Sequence, residues 1–375
     1  MRYALLIFII GATASAAAAP LWSASHAQTQ PAGGAERRER DEIRRTFRLA
    51  PGTRVEVSAI SGTVEVRTAD TDVAEVLIVR SAESRADLEQ DEVGIENGAQ
   101  GLTIRGGQRR REPGNGFGPD VLHQVTLRLP RRVDLSVASV SGQVQVGDVD
   151  GRVSVSGVGG AVAIGAVGGQ VQVSSVSGGV AVGRAGRQVE IKSVSGNVRV
   201  GQVSDALSVS SVSGEVRVAG VGGNLSVSGV SGQLIAGALA GQAQVQNVSG
   251  GVAVEHVGAQ TEIKSVGGNV EVGESFGSLD VSGVSGNLSV GVAKLDENGA
   301  RFKSVSGQLD LRFKGRLNAQ LSADNVSGQV SLDVPDVTIQ SRPGAAGLRA
   351  RIGTGGAPIA IDGVNKDVRL ASQGK

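Results

Sequence analysis

Val140-Ser-Gly-Gln-Val144-Gln-Val146-Gly-Asp-Val149-Asp-Gly-Arg-Val153-Ser-Val155-Ser-Gly157 holds the pattern that decides the fold. Its opening triplet, as Val-Ser-Gly or Val-Gly-Gly, returns at Val158, Val176, Val194, Val212, Val230, Val248, Val266 and Val284, always 18 residues on. Counted from Val140, valine stands at positions 1, 5 and 7 and again at 10, 14 and 16, so the period is two similar nonapeptides. Within each, the alternation places Val144 and Val146 on one face and Gln145 on the other, which is the period of a strand. Valine is stiff at χ1 and suits a pleated, half-buried surface.

A nonapeptide strand and turn cannot bury its own apolar face. Stacked coils bury a continuous valine column and pair every strand with the coils on either side. The fold class expected is therefore all-β: a single-chain β-solenoid of 18-residue coils, two nonapeptide strands per coil, with irregular β caps at both ends. The third residue of the triplet is glycine in every copy, from Gly142 to Gly286. It reads as a corner that needs positive φ. The half-period corner is looser, with Gly151, Gly169, Gly223, Gly241 and Gly277 but also Arg187, Asp205 and Ala259.

The flanks change character. Residues 1–27 read as a secretory signal, with Arg2 as the positive start, Ala4 to Ile10 as the apolar stretch and Ser25-His26-Ala27 as the cleavage site. The mature chain is then expected to begin at Gln28. Residues 28–46 read as a charged linker, in which Glu36 to Arg45 is a solvated run or a short frayed helix. Residues 47–137 read as an N-terminal β cap with an isolated triplet copy, Ile60-Ser-Gly62, a short helix within Ala82 to Asp91 and a Pro/Gly loop from Arg109 to Pro119. The repeats span 138–334; past Gly286 the step lengthens to 21 at Val305 and Val326, and Lys294 to Arg301 is the first charged loop. Residues 335–375 read as a C-terminal cap and polar tail, with closing strands at Ile359 to Ile361 and Val368 to Leu370.

Three stretches carry a family resemblance: Gly52-Thr-Arg-Val-Glu-Val-Ser-Ala-Ile-Ser-Gly-Thr-Val-Glu-Val66, Leu127-Arg-Leu-Pro-Arg-Arg-Val-Asp-Leu135 and Ile361-Asp-Gly-Val-Asn-Lys-Asp-Val-Arg-Leu370. Through them residues 47–370 resemble the bacterial "putative adhesin" family. That resemblance implies an exported β-solenoid of unknown biochemical function and carries over no catalytic residue. The chain departs from the family pattern at Lys366, where glycine is usual, and in using Ser-Gly where Asn-Gly is frequent.

Composition and motifs narrow the function. With 37 basic and 36 acidic residues the net charge is +1, which argues against a nucleic-acid binder held by bulk electrostatics. There is no cysteine, hence no disulfide framework. Calcium-binding β-rolls need an aspartate in each turn, whereas here the corner neighbours are Ser, Gln, Asn and Val. Zinc would have only His123 and His256 beyond the signal, in different regions. The row Ser141, Ser177, Ser195, Ser213, Ser231, Ser249 and Ser285 has no histidine partner, so it reads as local turn bonding and not as a set of nucleophiles. The row Gln143, Asn197, Gln233, Asn269, Asn287, Gln308 and Gln329 reads as amides bonding along the stack. An ice-binding face needs threonine rows, and Thr261 is the only threonine between Val140 and Gly286.

No catalytic, cofactor-binding or metal-ligating residue is therefore assigned, and no cofactor is expected. The expected function is an exported, non-enzymatic scaffold or adhesion-type module of the cell envelope, in the periplasm or at the surface of a bacterium. Its partner would be an envelope glycan or surface protein; no nucleic acid is expected, and no membrane span after signal cleavage. The alternative is a carbohydrate-active β-helix enzyme with its site at a cap or at the 294–301 loop, because such enzymes carry longer loops over a few coils.

Overall fold

A computed structural model describes residues 39–107, 121–341 and 347–373. The described residues belong to one compact unit, Arg37–Lys375. Residues 1–27, read above as a secretory signal, the start of the charged segment and the expected Arg109 to Pro119 loop lie outside the described residues.

The valine spacing does what its period requires. Val140, Val144, Val146, Val149, Val153 and Val155 are each at most 5% exposed. Each coil gives one strand to each of two sheets. In sheet two, Val153–Val158 pairs in parallel with Val171–Val176, matching Val153 to Val171, Val155 to Val173 and Val158 to Val176. The same register repeats coil by coil to Leu279–Val284. In sheet one, Val162–Val167 pairs likewise with Val180–Ala185, and the ladder continues to Leu288–Lys294. The chain is a β-solenoid with an aliphatic core.

The corners differ from the sequence expectation. None of the triplet glycines from Gly142 to Gly286 has positive φ. The left-handed residue is the one before the triplet: Ser139, Ser175, Ser193, Ser211, Asn247, Ser265, Ser304 and Asn325, with Gly157, Gly229, Gly283 and Gly363, all at φ between 50 and 71°. The triplet glycine is needed for space. A Cβ at any of the nine would lie 2.3–2.8 Å from an atom of the neighbouring coil. Gly196→Ala is therefore expected to cost about 1–3 kcal/mol through overpacking. Ser193→Gly should stay within about 0.5 kcal/mol of the parent, because relief of the left-handed serine is offset by the freedom glycine adds to the unfolded chain. Chemical denaturation checks the pair, and the reverse order would reinstate the triplet glycine as the positive-φ corner.

Both ends share a topological device. Thr53–Ile60 and Gly62–Ala69 form a coil in register with Val133–Val140 and Val144–Val146, Ile60 matching Val140. On its other side lie the later strands Gly101–Arg105 and Leu122–Pro130. At the opposite end, Ala357–Val364 inserts between Ala300–Val305 and Ala319–Val326. Val368–Gln373 inserts in the same way between Leu309–Lys314 and Val330–Asp333. The stretch expected as a closing cap is thus an interior coil. Its apolar spacing explains this, since Ile359, Ile361, Val364, Val368 and Leu370 repeat the spacing of Val153, Val155, Val158, Val162 and Ile164. The coil outside it is less well covered, with Val326, Val330 and Leu332 only partly buried. The antiparallel hairpin Val337–Ser341 and Leu348–Ile352 finishes sheet two there. Sheet two is an open ladder, because its outermost strands, Gly94–Gly98 and Val337–Ser341, each pair on one side only.

The charged run also needs correction. Glu39–Arg48 is neither linker nor helix but an edge strand of sheet one, antiparallel to Val73–Ala82 along its whole length. Alternation explains it: Asp41, Ile43 and Phe47 turn toward the molecule, while Arg40, Glu42, Arg44 and Arg45 are exposed to solvent. Such charges blunt an edge against pairing with another chain. The short helix forms at Arg85–Gln90, where Ser84 Oγ accepts from the Asp87 N–H and Leu88 is buried.

Candidate functional site

The two side-chain rows bind coil to coil. Asn197 Oδ1 accepts from the Glu215 N–H at 2.9 Å, Asn269 Oδ1 from Asn287 at 2.9 Å and Asn287 Oδ1 from Gln308 at 3.0 Å. These amides serve backbone donors of the next coil, as the stacking expectation had it. The serines act over the same distance and not within their own turn: Ser177, Ser213 and Ser231 donate to the carbonyls of Gly159, Ser195 and Ser213. These six side chains tie coil to coil.

The outward faces differ from each other. In sheet one an outward row runs Ala163, Ala181, Arg199, Arg217, Ile235 and Ala253, and a second runs Ala166, Arg184, Gln202, Gly220, Ala238 and His256, each changing chemistry every few coils. Sheet two is polar throughout its two outward rows. One holds Ser154, Gln172, Glu190, Ser208, Ser226, Gln244 and Glu262, and the other holds Ser156, Ser174, Lys192, Ser210, Ser228, Gln246 and Lys264. Glu190 pairs with Lys192, and Glu262 with Lys264, across the rows. The result is a flat strip of hydroxyls, amides and compensated charge without an inserted loop.

A concavity of about 540 Å³ lies beside the helix, lined by Asp41, Arg80, Leu88, Asp91, Val93 and Arg105 among others. Arg80 sits at an inward position of its strand, in the alternation Ala74, Val76, Ile78, Arg80, Ala82. That placement was a signal in the sequence for a buried charge needing partners. The guanidinium donates to the Leu88 carbonyl at 2.9 Å, to the Asp91 carbonyl and to the Asp41 carboxylate. His123, 3% exposed, bonds through Nε2 to Asp91 Oδ2 at 2.7 Å. Its Nδ1 is buried without a partner among the described residues. Asp91 thus ties the helix end to two strands, and the cluster acts as a clamp. Arg80 holds the Asp41 carboxyl below the ordinary carboxylate range. A depressed folded pKa adds stability above the unfolded value of 3.8, lost as pH falls below it. Asp41→Asn should accordingly lower stability at neutral pH by up to about 1 kcal/mol. The gap should close on acidification below pH 3.8, which urea melts across pH would show.

His256 is exposed in sheet one, 3.6 Å from Glu274, which also pairs with Lys314. The two histidines are not brought together. Among the described residues no group of three or more His, Cys, Asp or Glu is placed to hold a metal. No helix there is long and apolar enough to cross a membrane. At the 294–301 loop the lining contains Asp296 as its carboxylate, whereas glycoside hydrolysis by general acid and base uses a pair.

In-register coils, two parallel sheets and a polar strip define a parallel β-solenoid protein. A family model described as Toastrack DUF4097 matches residues 53–274 and 222–370, and the chain belongs to that family. Among solved structures, a "putative cell adhesion protein" from Clostridium sporogenes is 9% identical, covering 89% of this chain and 100% of its own, with TM-score 0.21. A "putative adhesin" from Parabacteroides distasonis is 12% identical over 73% of this chain and 97% of its own, with TM-score 0.33. A "putative lipid binding protein" from the same organism is 10% identical over 88% and 96%, with TM-score 0.20. No curated protein matches the chain.

Proposed function

We propose that the chain is an exported, non-catalytic β-solenoid module of the bacterial cell envelope that holds an envelope glycan or surface protein against its surface. The carrying observation is the loop-free polar strip of sheet two, in which two adjacent rows keep register over successive coils. Hydroxyl and amide groups on a rigid ladder are set in place before a partner arrives, so binding costs little ordering. The secretory reading of residues 1–27 supports export.

A glycan array and an envelope pull-down, both with residues 28–375, test the reading. Binding is expected in at least one, weakened by Ser210→Lys with Ser228→Lys on the strip. No binding above background in either assay would sink it.

A further inference from the structure

Three departures from the period meet at one corner. The register of Asp150, Gly168, Gly186, Ser204, Gly222, Ala240 and Gly258 holds small residues until Phe276. Phe276 is 42% exposed, whereas Phe302 and Phe313 are buried. Beneath it, Thr261 and Ser275 occupy positions that are aliphatic in the other coils. They are fully buried and bonded to each other at 3.3 Å. A buried hydroxyl costs free energy unless paired, so two paired hydroxyls in an aliphatic column mark a local demand. That demand is the strand's irregular register, which shifts at Ser275 and Phe276 and brings Phe276 opposite Lys294. The third departure is the longer loop that follows Lys294. It overhangs the corner, so that Gln242, Gln260, Phe276, Lys294, Asp296 and Asn298 line a recess of about 630 Å³.

We infer that this recess is a sugar-binding subsite, with a neutral pyranose ring stacked on Phe276. An exposed aromatic face takes the C–H side of a pyranose, as aromatic rings serve at interfaces with one apolar and one wet side. The rim supplies what the ring hydroxyls need. The side-chain amides of Gln242, Gln260 and Asn298 make no hydrogen bond among the described residues, and each offers both donors and an acceptor. Asp296 is held in place because its Oδ1 accepts from the Asn298 and Gly299 N–H groups at 2.9 and 3.3 Å. Its other oxygen accepts no hydrogen bond among the described residues and is free to serve as an acceptor. Lys294 and Asp296 leave the site without net charge, which selects a neutral sugar. Coincident breaks in an otherwise consistent pattern are where function is expected.

The subsite rests on the proposed function only for the class of ligand, and it lies at the corner beyond the end of the sheet-two strip, with Phe276 coils away from Ser210 and Ser228. The test is saturation-transfer NMR with methyl glucoside, methyl galactoside, methyl mannoside and N-acetylglucosamine on residues 28–375. At least one sugar should bind. Phe276→Ala should weaken it tenfold or more, Phe276→Trp should retain it, and Ser210→Lys with Ser228→Lys should not affect it. Phe276 is exposed, so both variants should fold, which circular dichroism checks. Unchanged sugar binding in Phe276→Ala overturns the subsite while leaving the envelope reading in place. The same holds if no sugar binds but the pull-down captures a partner.

Discussion

Removing residues 357–375 is expected to unfold more of the chain than is removed. Ile359, Ile361, Val364, Val368 and Leu370 are each at most 1% exposed between two flanking coils. At about 1.5–3 kcal/mol per fully buried side chain, their loss is comparable with the net stability of a whole domain, about 5–15 kcal/mol. In a solenoid the damage stays near its source, because each coil depends on its neighbours. Residues 319–341 and 347–352 should therefore exchange their amide hydrogens as an unfolded segment, while 140–286 keep full protection. Hydrogen exchange read by mass spectrometry separates the two regions. Full protection of 319–333 after the deletion would mean that this coil restacks directly on 300–314, and the intercalated coil would then be dispensable.

Val227→Asp should be the most damaging single change in the regular coils. Val227 is 1% exposed and faces Val209 and Val245 in the column. A carboxylate there has no partner, and an uncompensated buried charge costs about 3–5 kcal/mol. Ser226→Asp, one residue away on the opposite face, should lie within about 0.5 kcal/mol of the parent. Its ladder neighbours, Ser208 and Gln244, are uncharged, so no like charge confounds the comparison. Position 208 would be a poorer control, because Glu190 stands beside it. Equal unfolding midpoints for the two variants would contradict the alternation on which the fold rests.

What could be read in advance follows from which physical constraint is local. Val144 and Val146 declare a strand because alternation is a property of one strand alone, and both are buried. The partner of a strand is a different matter. Ile60 and Val140 pair across a long excursion of chain, and Val364 pairs with both Val305 and Val326. All coils share one register, so spacing cannot tell which coil stacks on which. The triplet glycines are legible but their cause is not, since close approach to Gly178 and crowding by a Cβ at Gly196 depend on the neighbouring coil. Arg80 was legible, being an inward charge in an apolar alternation. Its partners Asp41 and Asp91 were not, because they come from distant strands. Phe276 was legible too, once its register is compared with Gly222 and Gly258.

The intercalated coils separate the order of synthesis from the order of stacking. During translation or passage through a narrow channel, residues 319–333 emerge before 357–373, yet in the finished ladder the later segment lies beneath them. Coil-by-coil growth from the first repeat must therefore pause at 300–314 until the last strands arrive. Until then the Leu309–Lys314 edge is bare, and a bare strand edge is the kind of surface that pairs with the wrong chain. Maturation of this solenoid thus ends in a single late closure, and the interval before it is when the nascent chain most needs a holding partner.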